Sequence, residues 1–316
     1  MQRFRPYVLP VAIVLGLLLH RWCAMFSFLV PYIIFCILLL TFSSVDLRRL
    51  KLRPLDLWLM LFQVVVSTGS YLLIRLLSGN SIIAEGVLIG VLCPVASSVA
   101  VISCLLGANR ATVTTYTIVG NLMVAIVAPV VFTLIGHHPE LGLWESMWMM
   151  FTKIGSTLAL PFFLALALQR WAPKVGEAIH RANMLGFYLW AFALLFTLGQ
   201  TIDFIFLHGK GNWHSIIWLG ILSLFFCVVQ FGTGRLIGRR YGNRIGGGQL
   251  LGQKNSAMGI WMANTFLTPL AAVFLAFYSI YQNIFNAYQM AHTKTNTPAS
   301  GGNLGNPGNQ IKNNNI

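Results

Sequence analysis

The chain has 316 residues, of which 57% are hydrophobic and 9% charged, with 21 Lys and Arg against seven Asp and Glu. A soluble domain keeps about a quarter of its residues charged so that its surface stays wet, which excludes a water-soluble globule. The net charge of +14 does not indicate nucleic acid either. The basic residues fall in short clusters between apolar runs, as the positive-inside bias of membrane proteins requires.

Apolar stretches repeatedly reach the roughly 20 residues that an α-helix needs to cross a bilayer core. Ten segments are predicted: 7–20, 24–43, 57–77, 82–107, 111–136, 146–169, 183–206, 213–236, 246–266 and 268–291. The first, with Arg3 and Arg5 ahead of Val8–Leu19, has the look of a signal peptide. It lacks an A-x-A cleavage site and a second apolar run follows at once, so it reads as a transmembrane helix. With the N-terminus inside, the inner loops hold sixteen basic residues and the outer loops only Arg21 and Lys210. That asymmetry predicts ten spans with both termini cytoplasmic, in a bacterial-type inner membrane. Residues 292–316 contain seven Asn and four Gly, with Pro298 and Pro307, and are expected to be a disordered tail. The five cysteines (Cys23, Cys36, Cys93, Cys104, Cys227) lie in or beside apolar segments without a CxxC pair, so they read as small buried hydrophobes.

Two segments look broken. The fourth carries Cys93-Pro94-Val95-Ala96-Ser97-Ser98 near its middle, where Pro94 removes a backbone donor. The ninth carries the glycine-rich and polar run from Gly246 to Ser256, which includes Gln249, Gln253, Lys254 and Asn255. Broken helices survive in hydrocarbon only where they are packed in protein or line a cavity, and a lysine at mid-depth is costly without a purpose. Each broken segment is the fourth of five. Five spans per half is an odd number, so the halves would insert with opposite topology. Inverted repeats with matching breaks indicate a secondary transporter whose site lies where the breaks meet. The fold class expected is therefore an all-α polytopic membrane protein of ten helices in two inverted five-helix repeats. Other polar residues that could face the site are Gln63, Thr114, Thr115, Thr117, Asn121, Gln282, Asn283 and Asn286; each taken singly also suits an interhelical hydrogen bond.

At these residues the sequence resembles the bile acid:sodium symporter family. Gly90–Asn109, GVLCPVASSVAVISCLLGAN, is similar to the family's crossover motif. Gly252–Ala257, GQKNSA, resembles its G-M-Q-N-S-G in the ninth helix, and Tyr278–Asn283, YSIYQN, its F-S-V-W-H-N in the tenth. Gln63 stands at the spacing of a family glutamine on the third helix. The resemblance implies that helices four and nine cross. It implies a core domain at 55–136 and 213–291 (segments three to five and eight to ten). It also implies a panel domain at 1–50 and 140–208 (segments one, two, six and seven), and organic-anion substrates coupled to sodium. The family's sodium-ligand positions fall here on Val99 and Ala100 after the first break, Val113 and Thr117 on segment five, and Leu250 and Lys254 on segment nine. A one-residue slip would bring Gln249 and Ser98 nearer those positions without restoring a carboxylate.

A hard cation wants about five or six oxygen ligands, and an ammonium in its shell repels it, so the sequence argues against sodium coupling. Lys254 is expected to stand in for the ion, hydrogen-bonded to Gln63, Thr117 or freed carbonyls. That leaves facilitated diffusion, exchange, or proton coupling through a lysine that changes protonation readily when buried. The alternative for Lys254 is an ion pair with Glu85. A carboxylate or sulfonate is the expected substrate, drawn by half-helix N-termini, with H⁺ or Na⁺ as possible co-substrate, membrane lipid around it, and neither cofactor nor nucleic acid. An enzyme is not expected. The acids (Asp46, Asp56, Glu85, Glu140, Glu145, Glu177, Asp203) and the pair His137-His138 lie mostly in loops or at helix ends, with no catalytic constellation at depth. An ordinary sodium symporter and a non-transporting sensor on the same fold are the remaining alternatives.

Overall fold

The computed structural model describes residues 11, 14–43, 51–96, 99, 102–103, 106–108, 110–135, 142–172, 174–176, 179, 183–208 and 210–295. Among them the chain is helical throughout, with no strand and one isolated β-bridge. The helices are α1 (His20–Met25), α2 (Val30–Ser43), α3 (Pro54–Ser78), α4 (Ser81–Leu92), α5 (Arg110–Ile135) and α6 (Leu143–Trp171). They continue with α7 (Asn183–His208), α8 (Trp213–Arg240), α9 (Arg244–Gly252), α10 (Ser256–Phe266) and α11 (Ala272–Thr295). Short 3-10 turns at Ser27–Leu29 and Pro269–Ala271 precede α2 and α11.

Four of these are long and apolar enough to cross a membrane by themselves: Pro54–Ser78, Thr112–Ile135, Trp144–Trp171 and Trp213–Arg240. Their outward surfaces are apolar. Leu76 and Trp171 are 83% and 82% exposed, which in water would be a severe aggregation liability and in lipid is the ordinary state. The first predicted segment, 7–20, is described only in part, and a turn at Leu19 separates it from α1. The tail expected to begin at 292 instead continues α11 through Thr295; the remainder lies outside the described residues.

The two segments read as broken contain short helices with clear stops. Helix α4 starts on Asn80, whose side chain accepts from Ile83 N at 3.1 Å, and ends at Leu92 two residues before Pro94. In the ninth segment the glycines do not break the helix, contrary to expectation. Gly246, Gly247 and Gly248 lie within α9, and the interruption is confined to Gln253-Lys254-Asn255. At 1.5 Å per residue α9 and α10 extend about 14 and 16 Å. End to end they match the roughly 30 Å of hydrocarbon that one full span covers.

The glycines have a packing role. A Cβ on Gly234 of α8 would sit 2.3 Å from the Gly247 carbonyl, and one on Gly247 would sit 2.3 Å from the Gly234 carbonyl. Helix α9 therefore lies against α8 with backbone touching backbone, the close approach that small residues permit between membrane helices. On the other half of the ninth segment, α10 packs against α2 and α7. Ala257 clusters there with Ile37 and Ala193, flanked by Ile33 and Leu189.

Gly234→Ala forces these backbones apart, an overpacking that costs about 1–3 kcal/mol. A lower melting temperature in detergent is expected. Gly69→Ala on α3, where an added Cβ meets nothing within 4 Å, should melt no earlier than wild type. Equal melting of all three proteins would refute the close-packed α8–α9 contact.

Candidate functional site

Where the two interruptions meet, the chain forms a short antiparallel ribbon. Asn255 N donates to Pro94 O at 2.8 Å and Ala96 N to Gln253 O at 3.2 Å, with Val95 paired to Lys254. Helices α4 and α9 both arrive at this ribbon with their carbonyl ends, where the macrodipole is negative. A helix end leaves its last carbonyls without intrahelical partners, and in hydrocarbon each unsatisfied group costs several kcal/mol.

Neighbouring side chains supply the missing partners. On α4, Lys254 Nζ donates to Val91 O at 2.8 Å. Gln63 Nε2, from α3, donates to Leu92 O at 2.8 Å and Cys93 O at 3.0 Å. Together with the Asn255 bond to Pro94, four consecutive carbonyls are satisfied from outside their own helix. Tyr116 Oη of α5 donates to Gln63 Oε1 at 3.1 Å and holds that amide in place. On α9, the Gly252 carbonyl accepts from Tyr278 Oη of α11 at 2.7 Å, and Gln230 Nε2 of α8 donates to the same hydroxyl at 3.2 Å.

The freed N–H groups are treated likewise. Val95 N donates to Asn121 Oδ1 at 2.9 Å, and Lys254 N to Gln282 Oε1 at 2.8 Å. Gln282 Nε2 turns back to Lys254 O at 3.1 Å and to Ser256 Oγ at 3.2 Å. Asn255 caps α10 by accepting from Met258 N at 3.2 Å, and Cys93 Sγ donates to Asn255 O at 3.2 Å.

Of the residues singled out from sequence, this junction brings together Gln63, Pro94, Asn121, Gln253, Lys254, Asn255, Ser256 and Gln282. Three others stand apart. Thr117 bonds back to Val113 O, Asn283 to Ser279 O, and the Gln249 amide of α9 pairs with Asn286 and Gln289 of α11. Ser97, Ser98 and Ala100 lie outside the described residues. Val99, Val113 and Leu250, each 0% exposed, join Leu55, Leu59, Val95, Tyr116 and Leu251 in one apolar cluster. Side-chain oxygens for a cation are therefore lacking at those three positions.

Lys254 is 1% exposed, and among the described residues its ammonium has no carboxylate within 4 Å; the single ion pair there is His20–Asp203 at 2.7 Å. Glu85 is not its partner. That carboxylate sits nearly two turns further from the ribbon on α4 and accepts from Thr268 N at 2.8 Å. The ammonium thus faces a helix carbonyl terminus, where a positive charge is favoured.

Sequence reasoning missed Tyr116, Tyr278 and Gln230. Tyr278 stands four residues before Gln282, on the same helical face, which was the available signal. It also missed Asp56, treated as a helix-end acid. Asp56 is 0% exposed at the start of α3, with Oδ2 accepting from Arg53 N at 2.9 Å and Oδ1 without a hydrogen-bond partner. Arg53 in turn donates to Thr112 of α5.

No curated protein matches the chain. Residues 12–291, nearly all of the span described above, match the SBF-like CPA transporter family. Most of the chain is covered, both helix interruptions included, and the chain therefore belongs to the SBF-like CPA transporter family, whose members are membrane transporters.

Proposed function

We propose that the chain is a secondary transporter that moves an organic anion, a bile-acid-like or smaller carboxylate, across the inner (plasma) membrane by alternating access. Lys254 takes the place of a coupling sodium ion. The observation that carries this reading is the seat of Lys254 Nζ on Val91 O, in a junction whose corresponding cation positions are an apolar cluster. A tethered ammonium there offsets the same carbonyl-end dipole that a bound cation would.

In this reading the ten predicted spans form two inverted five-helix repeats, with both termini cytoplasmic. Contacts that correspond between the halves support the repeat. A glutamine and a tyrosine cap the carbonyl end of the first half-helix (Gln63 with Tyr116), and the same pair of residue types caps the second (Gln230 with Tyr278). An amide from the last helix of each half receives the N–H of each bridge residue, Asn121 for Val95 and Gln282 for Lys254. The core domain (55–136 and 213–291) carries the crossing and the panel domain (1–50 and 140–208) faces it. The packing of α2 and α7 against α10 is then the place where the two domains meet. The substrate enters between them as a carboxylate or sulfonate. Proton movement through Lys254 is the coupling consistent with a buried lysine.

A substrate-independent test is the melting temperature of the purified protein in NaCl, KCl and choline chloride at equal ionic strength. A ligand at about 100 times its Kd stabilises by about 2.7 kcal/mol, so a sodium site would be plain. No sodium-specific rise is expected, and a clear one would overturn the built-in cation.

Uptake into sealed vesicles, screened with bile acids and short keto acids, is expected to persist when sodium is replaced by potassium. Lys254→Gln exchanges the ammonium for a neutral amide. Transport should then be lost or become sodium-dependent. Unchanged, sodium-free uptake in that variant would remove Lys254 from the mechanism.

A further inference from the structure

The junction between α8 and α9, at the other end of α9 from the ribbon, holds an arrangement that the transport reading does not use. Four arginines occur in ten residues there: Arg235, Arg239, Arg240 and Arg244. Arg235 is half-buried within α8. Its side chain lies along α9, with Cγ 2.6 Å from where a Cβ of Gly248 would be, and its guanidinium sits 5.2 Å from the centre of the Phe285 ring. Arg244, the first residue of α9, stands four residues before Gly248 and so on the same face of that helix. Among the described residues no carboxylate pairs with any of the four.

The same place is the N-terminus of α9, a nine-residue helix whose first N–H groups lack intrahelical partners. Asn243 caps it, accepting from Gly246 N at 3.2 Å. The other end of that amide, Nδ2, is buried in a residue only 7% exposed and has no partner. Two arginines beside one face of α9, a helix N-terminus and an unused buried donor all call for one multivalent anion. A phosphate, with several acceptor oxygens and a negative charge, suits guanidinium forks and helix N-termini together.

We propose that the α8–α9 junction is a phosphate-binding site and that its occupant in the membrane is the headgroup of an anionic phospholipid. Leu236 is 66% exposed and Tyr241 42% exposed on either side of the arginines, so the site opens beside surface fit for acyl chains and for the interface that tyrosine favours. With the topology proposed above, this end faces the inner leaflet, where basic pockets between helices bind lipid headgroups.

The test is binding alone and needs no transport substrate. The purified full-length protein in a non-ionic detergent is melted with added phosphatidylglycerol, with phosphatidylcholine, or with inorganic phosphate, at fixed ionic strength. Phosphatidylglycerol is expected to raise the melting temperature by at least about 3 °C over phosphatidylcholine. That rise should fall by half or more in Arg244→Gln and in Arg235→Gln, and persist in Lys210→Gln on the opposite end. Arg244 is exposed, so its variant keeps the test valid if Arg235→Gln folds poorly. An equal rise with inorganic phosphate would uphold the site and assign it to a soluble phosphate. No rise with either anion, or a rise unchanged in both arginine variants, overturns it. Neither result touches the sodium or Lys254 measurements.

Discussion

A helix that stops halfway across a bilayer leaves backbone carbonyls where water cannot reach them, and the structure is arranged around satisfying those groups. Val91, Leu92, Cys93 and Pro94 present four in succession, and their donors come from α3, from the facing interruption and from Lys254. Each unpaired carbonyl would cost several kcal/mol in hydrocarbon. Positions that look unremarkable as single polar residues, such as Gln63 and Tyr278, are therefore tightly constrained. Each donates to a named backbone carbonyl and is held by a second side chain.

An ammonium and a metal ion solve the electrostatic part of this problem differently. Both offset the negative ends of α4 and α9. A bound ion can leave and carry its gradient's energy with it. A lysine amine remains attached to its helix, and the only thing it can release is a proton. The apolar cluster of Val99, Val113 and Leu250 belongs with that arrangement. In the proposed reading the charge is covalently supplied, and those positions then pack as hydrocarbon, which strengthens the junction by burial.

The outline of this architecture could be read from the chain because membrane helices are announced by length and apolar content. The four helices long and apolar enough to span agree with segments three, five, six and eight. Pro94 and Lys254 marked the interruptions for physical reasons: one lacks a donor and the other is too costly to bury idly. The glycine run misled. Gly246-Gly247-Gly248 suggested an unwound segment, whereas close contact with Gly234 and Gly238 makes a helix the favourable state there. Thr117 and Asn283 looked like site residues because they are polar at depth, yet both bond to carbonyls of their own helices. Composition does not distinguish a hydroxyl that turns back from one that reaches across. Tyr116 and Gln230 were overlooked because one polar group in an apolar helix says nothing of its partner 48 or 53 residues away.

The distance along the chain between partners has a consequence for biosynthesis. The Val91 carbonyl waits for a lysine 163 residues downstream. At about 5–20 residues per second, the ribosome needs roughly 8–30 s to deliver it. During that interval α4 has to enter the membrane with its terminal carbonyls satisfied by Gln63 and by whatever water or insertion machinery surrounds it. The protein is thus most vulnerable to misassembly and proteolysis midway through its own synthesis. A nascent chain truncated before Lys254 should be recognised by the cell as unfinished.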